Sequence, residues 1–286
     1  MNSRTATDKI ESAEGEFEAL VAAAARIRGR IIQLSHQART PHLGSSLSFV
    51  ELLVYLYWHF LEISPEDPKD AARDRFVLSK GHGITTLYAV LAERGFFPSE
   101  LFDDYAQAGS PLPEHPSPRC VPGIEAATGS LGHGLSVATG IALASKMNAI
   151  PYSVVSLLSD GECNEGSTWE AALLAPAHNL DNLISIIDFN KWQATGRSAE
   201  ITALEPLDQK FESFGWNSVR IDGHDFRQIR SALATAKKSE KPFAIIADTI
   251  KGKGIKMMED DNNWHYRIPT KEELDSAFEE LGIDPI

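Results

Sequence analysis

Two apolar runs of the sequence each end in polar residues that could hold a cation. Residues 154–158 lead into Asp160, and residues 183–187 lead into Asn190. A helical pattern separates the runs, which predicts a β-α-β unit whose parallel strands end at one sheet edge, where ligands bind. Carboxylate, amide and carbonyl oxygens are hard ligands that suit Mg²⁺, an ion that completes its shell with water and phosphate. Asp160 and Asn190 are therefore candidate metal ligands.

A simpler interpretation of these residues also exists. Asp-Gly and Asn-Lys are good turn sequences, and taken alone the turn interpretation is the favoured one. The glycine after Asp160 has a second possible use, because Gly161 removes a side chain where a phosphate could approach the backbone.

Histidines in loops marked by glycine or proline change this balance. His42, His82 and His115 lie in such loops rather than on apolar faces, and His265 follows the last predicted strand and its loop, between Trp264 and Tyr266. Several histidines of this kind in a single domain indicate a polar, anion-holding site. Lys251 follows the last predicted strand and is expected at the same sheet edge, although a solvated lysine in a surface turn is an equally good local interpretation.

The common nucleotide and zinc motifs are missing. No G-x-x-x-x-G-K-[ST] loop occurs, and the Gly-His-Gly sequences at 81–83 and 132–134 lack the third glycine of the dinucleotide fingerprint. No H-E-x-x-H motif occurs, and Cys120 and Cys163 show no metal-type spacing, so we expect two reduced thiols in a cytosolic protein. These observations favour a diphosphate cofactor held through Mg²⁺.

The elements that must position these residues follow from hydrophobic periodicity. The predicted helices are 16–38, 48–61, 84–94, 134–147, 167–178, 226–237 and 270–281, and the predicted strands are 76–78, 154–158, 183–187, 217–221 and 243–249. Alternating strands and helices predict one α/β domain over residues 16–286 with a mostly parallel sheet. Residues 1–15 are polar and predicted to be flexible. Five prolines predict a long irregular loop over residues 109–123.

Composition excludes several classes of function. The 286 residues carry a net charge of −13, which argues against binding nucleic acid or an anionic membrane surface through Lys and Arg. Hydrophobic residues make up 43% of the chain, typical of a globular protein with a large core. No apolar run reaches the roughly 18 residues that cross a bilayer. We therefore expect a cytoplasmic protein.

Five segments together resemble the transketolase family. Asp160-Gly161 with Asn190 thirty positions later is similar to the family's thiamine-diphosphate motif. The other matching segments are Arg73–Gly83, Ala127–Gly134, Asp160–Gly166 and Thr249–Gly254 with the following Trp264-His265. The likeness keeps one order from about residue 16 to 268. It implies a three-layer α/β/α domain that binds thiamine diphosphate.

The resemblance also implies roles for individual residues. The metal is Mg²⁺, with Ca²⁺ or Mn²⁺ as alternative ions, and its ligands are Asp160, Asn190 and the carbonyl of Trp192. The cofactor contacts are Ser45, His82, Gly129, Ser130, Leu131, Gly161, Glu162, Asn190, Lys251 and His265. The catalytic group comprises His42, His82, His115 and His265, with Glu165 linking two active sites across a subunit interface. Departures from the family pattern are His133 in place of Gln, Ser159 in place of Gly, and Leu43 in place of Pro.

In this family a second domain grips the pyrimidine ring of the cofactor and supplies an activating glutamate. A chain of this length accommodates only the first domain, so the resemblance implies a separate partner subunit within an α₂β₂ assembly. The expected reaction moves a two-carbon ketol unit from a ketose phosphate or sulfonate to an aldose. The alternatives are a subunit of a 2-oxoacid dehydrogenase, part of a deoxyxylulose-phosphate synthase, or a silent cofactor-binding module.

Overall fold

The sheet of the protein is wholly parallel in the residues that the computed structural model describes, which are 6–118 and 120–285, with side chains from residue 15 onward. Its strands are β1 (Arg75–Leu78), β2 (Val154–Ser159), β3 (Leu183–Phe189), β4 (Asn217–Asp222) and β5 (Phe243–Asp248). They lie in the order β1-β2-β3-β5-β4, and each pairs in parallel with its neighbours. The predicted parallel sheet is confirmed.

Helices cover both faces of this sheet. They are α1 (Ala6–Ala38), α2 (Leu43–Leu47), α3 (Val50–Tyr55) continued by a π-helical turn (Leu56–Phe60), α4 (Ile84–Glu93), α5 (Gly134–Asn148), α6 (Gly166–Ala177), α7 (Ser198–Ile201), α8 (Leu207–Ser213), α9 (Phe226–Ala236) and α10 (Lys271–Leu281). Short 3₁₀ turns occupy Gly81–Gly83, Ser99–Asp104, Gly161–Asn164 and Asn262–His265.

Period-two alternation in the strands builds a separate core on each face. In β3, Ile184 and Ile186 point into the core that includes side chains of α1, α3, α4, α9 and α10, whereas Leu183 and Ile187 point into the core under α5, α6 and α8. Because both faces are covered, the central strands are apolar along their whole length. The fold is the predicted α/β architecture with three layers.

Most predicted elements from β1 onward agree with the structure within two residues, and the capping box of Thr270 and Glu273 at α10 is confirmed. Three predictions near the N-terminus need correction. Helix α1 begins at Ala6 rather than residue 16, since residues 6–15 contain good helix formers without an apolar stripe. Residues 1–5 lie outside the described part, so their flexibility stays a prediction.

Short helices account for the other differences. The predicted loop before residue 48 contains α2, and the predicted helix 48–61 starts at Val50 and passes into the π-helical turn. Helices α7 and α8 are four and seven residues long and were not predicted, because so few residues display no clear periodicity.

The proline-marked loop has neither helix nor strand in its described residues, as predicted. None of the helices in the described ranges has the length and apolar character needed to span a membrane.

Candidate active site

A cleft of about 410 Å³ opens at the carboxyl ends of β2 and β3. Most of the predicted site residues line it: His42, Ser45, His82, His115, Gly129, Leu131, Gly161, Glu162, Glu165, Asn190, Trp192 and His265. Asp160 and Lys251 are buried residues and do not line the cleft, and Ser130 is exposed and is not part of the lining. The sequence interpretation missed Asn164 and residues 193–195, which also line the cleft.

Four histidines from four different segments meet at this cleft. The ring centroid of His42 lies 5.0 Å from that of His265, 5.4 Å from that of His82 and 6.0 Å from that of His115. The centroids of His82 and His265 are 5.9 Å apart. The predicted convergence of loop histidines is therefore present in the fold.

Burial keeps three of these imidazoles neutral, those of His42, His82 and His265. Desolvation, followed by the positive charge of neighbouring groups, lowers the pKa of His42 to about 4 and the pKa of His265 to about 3. The same causes hold the pKa of His82 well below its usual value. A neutral imidazole has one donor and one acceptor nitrogen, so at neutral pH these rings can both accept and donate protons.

Lys251 lies next to this histidine cluster. Its Nζ is 2.6 Å from Asn262 Oδ1 and 3.3 Å from Nδ1 of His265. Because an ammonium group only donates, Nδ1 of His265 accepts and the ring proton lies on Nε2. Burial, together with the charge of Lys80, lowers the pKa of Lys251 to about 8. The Lys251 loop therefore places a cation at the same sheet edge as Asp160, as the sequence predicted.

Asp160 is fully buried directly after β2, with few partners for its charge. Its carboxylate accepts hydrogen bonds from Gly161 N at 2.9 Å and from Ser198 Oγ at 2.7 Å. Burial, with a further contribution from the negative charge of Asp188, raises the pKa of Asp160 to about 6. Desolvation outweighs the opposing charge of Lys80, so a bound divalent ion would stabilise the ionised form of this carboxylate.

The other oxygens near Asp160 are of the kind that Mg²⁺ accepts. Asn190 follows β3, and its Nδ2 donates to Asp188 Oδ2 at 3.2 Å while its Oδ1 lies 3.1 Å from Trp192 N. In the described part of the chain, no three His, Cys, Asp or Glu side chains converge as a metal-binding group. One carboxylate, one amide and a backbone carbonyl form a hard donor set, which fits Mg²⁺ better than zinc.

Glu162 joins the two loops that border the cleft. Its Oε1 accepts hydrogen bonds from Gly132 N at 2.8 Å and from Ser79 Oγ, and its Oε2 accepts one from Ser159 N at 3.2 Å. The hydroxyl of Ser159 in turn accepts a hydrogen bond of 3.2 Å from Glu162 N, whereas the N-cap of the 3₁₀ turn is Asp160. All these carboxylate contacts are made within the protein, which identifies Glu162 as a brace of the cleft wall.

The glycines of the two Gly-His-Gly sequences allow the same loops to pack together. A Cβ on Gly81 would lie 2.5 Å from Thr128 O, and one on Gly134 would lie 2.2 Å from Ser79 Oγ. Both positions are too close for any side chain. These glycines therefore allow close contact between the loops.

Replacing Glu162 by glutamine is expected to lower the free energy of unfolding by about 1–3 kcal/mol, the cost of an unsatisfied buried group. The amide NH₂ must face at least one of the three donors that the carboxylate now satisfies. Urea unfolding of the full chain measures the effect. Glu170→Gln, an exposed change on α6, is the control, and equal midpoints for the two variants would contradict the bracing role.

Trp192 belongs to a clamp that connects two loops of the site. Arg197 makes two hydrogen bonds of 2.6 Å to the carboxylate of Asp260, and Trp192 Nε1 donates to the same carboxylate at 2.8 Å. The guanidinium carbon of Arg197 lies 3.8 Å from the centroid of the Trp192 ring. This stacked arrangement ties the loop after β3 to the segment that leads to His265.

Two further residues singled out in the sequence lie at exposed positions. Glu165 precedes α6 at the margin of the cleft, and its side chain makes no capping hydrogen bond to that helix. His133 precedes α5, with its Nδ1 3.1 Å from Leu131 O. Both side chains are accessible to another chain.

Fold and site together define an α/β domain with a histidine-lined cleft at the carboxyl ends of its parallel strands. The family described as "Transketolase, thiamine diphosphate binding domain" matches residues 20–286. The chain belongs to the transketolase family, whose members are transferases that move ketol units.

Individual relatives give a more detailed comparison. The chain is 38% identical to one of the named subunits of the apulose-4-phosphate transketolase of Phocaeicola vulgatus, over 93% of this chain and 95% of that one. It is 45% identical to the 6-deoxy-6-sulfo-D-fructose transketolase subunit SqwG of a Clostridium species, over 84% and 88%. The solved transketolase of Campylobacter jejuni superposes with a TM-score of 0.86 at 33% identity, and the match covers 93% of this chain and 42% of that one.

Proposed function

We propose that this chain is the thiamine-diphosphate-binding subunit of a two-chain transketolase that requires Mg²⁺ and a separate partner subunit. The observation that carries the proposal is its match to proteins named as transketolase subunits, over 95% and 88% of their length. The partner supplies the pyrimidine-binding domain and the activating glutamate. The predicted cytoplasmic location is retained as a prediction.

Asp160, Asn190 and the carbonyl of Trp192 are the proposed Mg²⁺ ligands. The full burial of Asp160, which raises the pKa of its carboxyl, supports this assignment. Lys251 is proposed to face the diphosphate, because its ammonium is held beside His265 at the same edge. The remaining cofactor contacts are proposed for Ser45, His82, Gly129, Ser130, Leu131, Gly161, Glu162 and His265.

Thiamine diphosphate, when bound, supplies a nucleophilic thiazolium carbon that attacks ketose carbonyls. The chain contributes the histidine cluster at the cleft. His42, His82, His115 and His265 are proposed to hold the hydroxyl groups of the sugar and to transfer protons during cleavage and formation of the ketol bond. The depressed pKa values of His42, His82 and His265 support this role, since a protonated ring could not accept a proton.

The proposed donor is a ketose phosphate or sulfonate, and the acceptor is an aldose. The two relatives are named for apulose 4-phosphate and for a sulfonated fructose, so both classes belong in a substrate test. Glu165 is proposed to reach toward a second copy of the site, in agreement with its exposed position before α6.

The test is to purify the chain alone and together with the protein encoded beside it. Thiamine diphosphate and Mg²⁺ are titrated into each sample, and ketol transfer is followed from a panel of ketose phosphates and sulfonates. We expect tight binding and turnover by the pair only, abolished by EDTA. Activity of the chain alone would refute the need for a partner, and binding without ketol transfer would identify a silent module.

The assembly is proposed to be α₂β₂, with two copies of this chain meeting through α5 and α6. These adjacent helices expose Val137, Met147, Leu173 and Leu174, of which Met147 is 77% and Leu173 is 56% accessible. Exposed apolar side chains on neighbouring helices are typical of a contact surface. Glu165 immediately precedes α6, so this contact would bring the margins of two clefts together.

Changing Leu173 to glutamate is expected to halve the mass of the assembled complex. In a two-fold symmetric contact the new charge is buried twice, which opposes association. Sedimentation velocity on the complex measures the mass. Val21→Glu is the matched control, because Val21 is similarly exposed (58%) but lies on α1 at the opposite face of the sheet. An unchanged mass for Leu173→Glu would exclude this surface.

A further inference from the structure

His224 lies outside the cleft, in the turn after β4, and its side chain is 12% exposed. Its Nε2 accepts a hydrogen bond of 2.9 Å from the backbone N–H of Ile250. Because a backbone N–H can only donate, Nε2 holds the lone pair and the ring proton lies on Nδ1. That nitrogen is 3.0 Å from Oε2 of Glu51, to which it donates. The tautomer of His224 is thus set by its two partners.

Glu51 on α3 is held ionised by a third residue. Its Oε1 accepts from Arg28 Nη2 at 2.6 Å. Burial alone would raise the pKa of Glu51, but the charge of Arg28 and the contact with His224 outweigh it and lower the pKa to about 2. Arg28 also donates from Nε to Lys253 O at 2.8 Å. The three side chains therefore hold the segment 250–253 at both ends.

This segment carries Lys251 on its other side. The Lys251 side chain is 1% exposed, and its ammonium contacts Asn262 and His265 as described above. The next residue, Gly252, donates its N–H to Gly44 O at 2.9 Å, beside Ser45. A shift of the Ile250 backbone would accordingly move the Lys251 ammonium relative to the histidine cluster.

We propose that His224, oriented by Glu51 and Arg28, is a positioning residue that fixes Lys251 and the ring of His265 for the diphosphate end of the site. The claim that Lys251 faces the diphosphate of the cofactor rests on the proposed function. The hydrogen-bond geometry that places the loop is independent of it.

Two substitutions of His224 test the hydrogen bond that Nε2 accepts separately from the one that Nδ1 donates. In His224→Gln the amide oxygen can take the position of Nε2 and still accept from Ile250. In His224→Asn the shorter amide keeps the donor to Glu51 but does not reach Ile250. His59→Asn is the matched control, because His59 also pairs with a glutamate, with its Nδ1 3.1 Å from Glu16, away from this loop.

Hydrogen exchange of the full chain, without cofactor or partner, is the first readout. We expect His224→Asn to accelerate exchange of the 249–254 amides about tenfold, the effect of roughly one lost hydrogen bond. His224→Gln and the control should stay close to the original chain. Equal exchange in the Asn and Gln variants, whether fast or slow, would overturn the proposal.

The second readout is steady-state kinetics of the complex with its partner. His224→Asn is expected to raise the KM for thiamine diphosphate about fivefold to tenfold, with kcat at saturating cofactor nearly unchanged, and His224→Gln should restore the KM. Faster exchange without a change in KM would overturn the link to the site. If the complex of the unsubstituted chain with its partner transfers no ketol unit, the proposed function is refuted instead. The hydrogen-exchange result would still show whether His224 positions the loop.

Discussion

Replacing Lys80 by methionine is expected to lower the free energy of unfolding by roughly 3–5 kcal/mol, the usual cost of breaking a buried ion pair by removing one partner. Lys80 Nζ lies 2.5 Å from Asp188 Oδ2, and both side chains are fully buried. The ammonium also donates to Ser45 O at 2.9 Å. Methionine matches the shape of the lysine stem but leaves the Asp188 carboxylate without its counter-charge.

The pH dependence of this loss gives the sharper test. In the original chain, burial tends to raise the pKa of Asp188, but the charge of Lys80 and its hydrogen bonds outweigh burial and lower it. A carboxyl with a lowered folded-state pKa stabilises the fold above the unfolded pKa, and that contribution is lost as the pH falls. Without Lys80, burial raises the pKa of Asp188 instead of its being lowered. The difference in stability between the original chain and the variant should therefore become smaller as the pH falls.

Chemical unfolding of the full chain between pH 4 and pH 8 measures both effects. The double variant Lys80→Met with Asp188→Asn removes both charges and is expected to recover part of the stability. Lys271→Met is the control, because Lys271 pairs with Asp275 on the exposed face of α10, where such pairs contribute at most about 1 kcal/mol. A loss no larger than that of the control would contradict a structural role for the buried pair.

Replacing Asp160 by asparagine is expected to have opposite effects on folding and on cofactor binding. The folded-state pKa of Asp160, about 6, lies above its ordinary value of 3.8. The raised value means that the metal-free fold prefers the protonated acid, so the ionised form destabilises it above pH 6. Asparagine removes this cost, on the order of 2–3 kcal/mol at 1.36 kcal/mol per pKa unit. Its single amide oxygen can accept from Gly161 N, and its NH₂ can donate to the Ser198 hydroxyl, which then acts as the acceptor.

We therefore expect the metal-free variant to be more stable than the original chain at pH 8, with the difference shrinking as the pH falls from 6 to 4. In the complex with its partner, the original protein should gain about 2.7 kcal/mol when cofactor and Mg²⁺ are present at 100 times their Kd. The variant should lose this gain, because an amide provides no charge for the ion.

Unfolding in EDTA and unfolding with Mg²⁺ and thiamine diphosphate separate the two effects. Asp275→Asn removes an exposed carboxylate and serves as the control, with changes expected below about 0.5 kcal/mol. An Asp160→Asn protein that retains the full cofactor-dependent gain would exclude Asp160 as the metal ligand. A variant less stable than the original chain at pH 8 would show that the carboxylate stabilises the fold.

The sequence predicted the features that depend on short-range patterns. The apolar runs of β2 and β3 placed Asp160 and Asn190 at one sheet edge, because parallel strands have their carboxyl ends at the same edge. Neighbouring glycine and proline residues identified the loops that contain His42, His82 and His115. The short α2 was missed because five residues show too little periodicity to distinguish a helix from a loop.

Long-range pairing was not predictable from these patterns. Lys80 and Asp188 are 108 positions apart, and only the fold shows that their charges meet. Glu162 was assigned to the cofactor by resemblance, and that assignment stays a prediction. The contacts of its carboxylate with Ser79, Ser159 and Gly132 could not be read from a local pattern. His224 follows a glycine, as some of the recognised histidines do, and that signal could have marked it for attention.

The clamp of Trp192, Arg197 and Asp260 has an optical consequence. The emission of an indole depends on nearby charges, and the Trp192 ring has a guanidinium stacked on it and a carboxylate at its N–H. Its own carbonyl is a proposed metal ligand, so ion binding acts on the same residue. Of the other four tryptophans, Trp216 and Trp264 are buried in the fold. Trp192 is thus an intrinsic fluorophore whose emission should change when the ion and the cofactor bind. Stopped-flow fluorescence could measure the rates of both binding steps without a label.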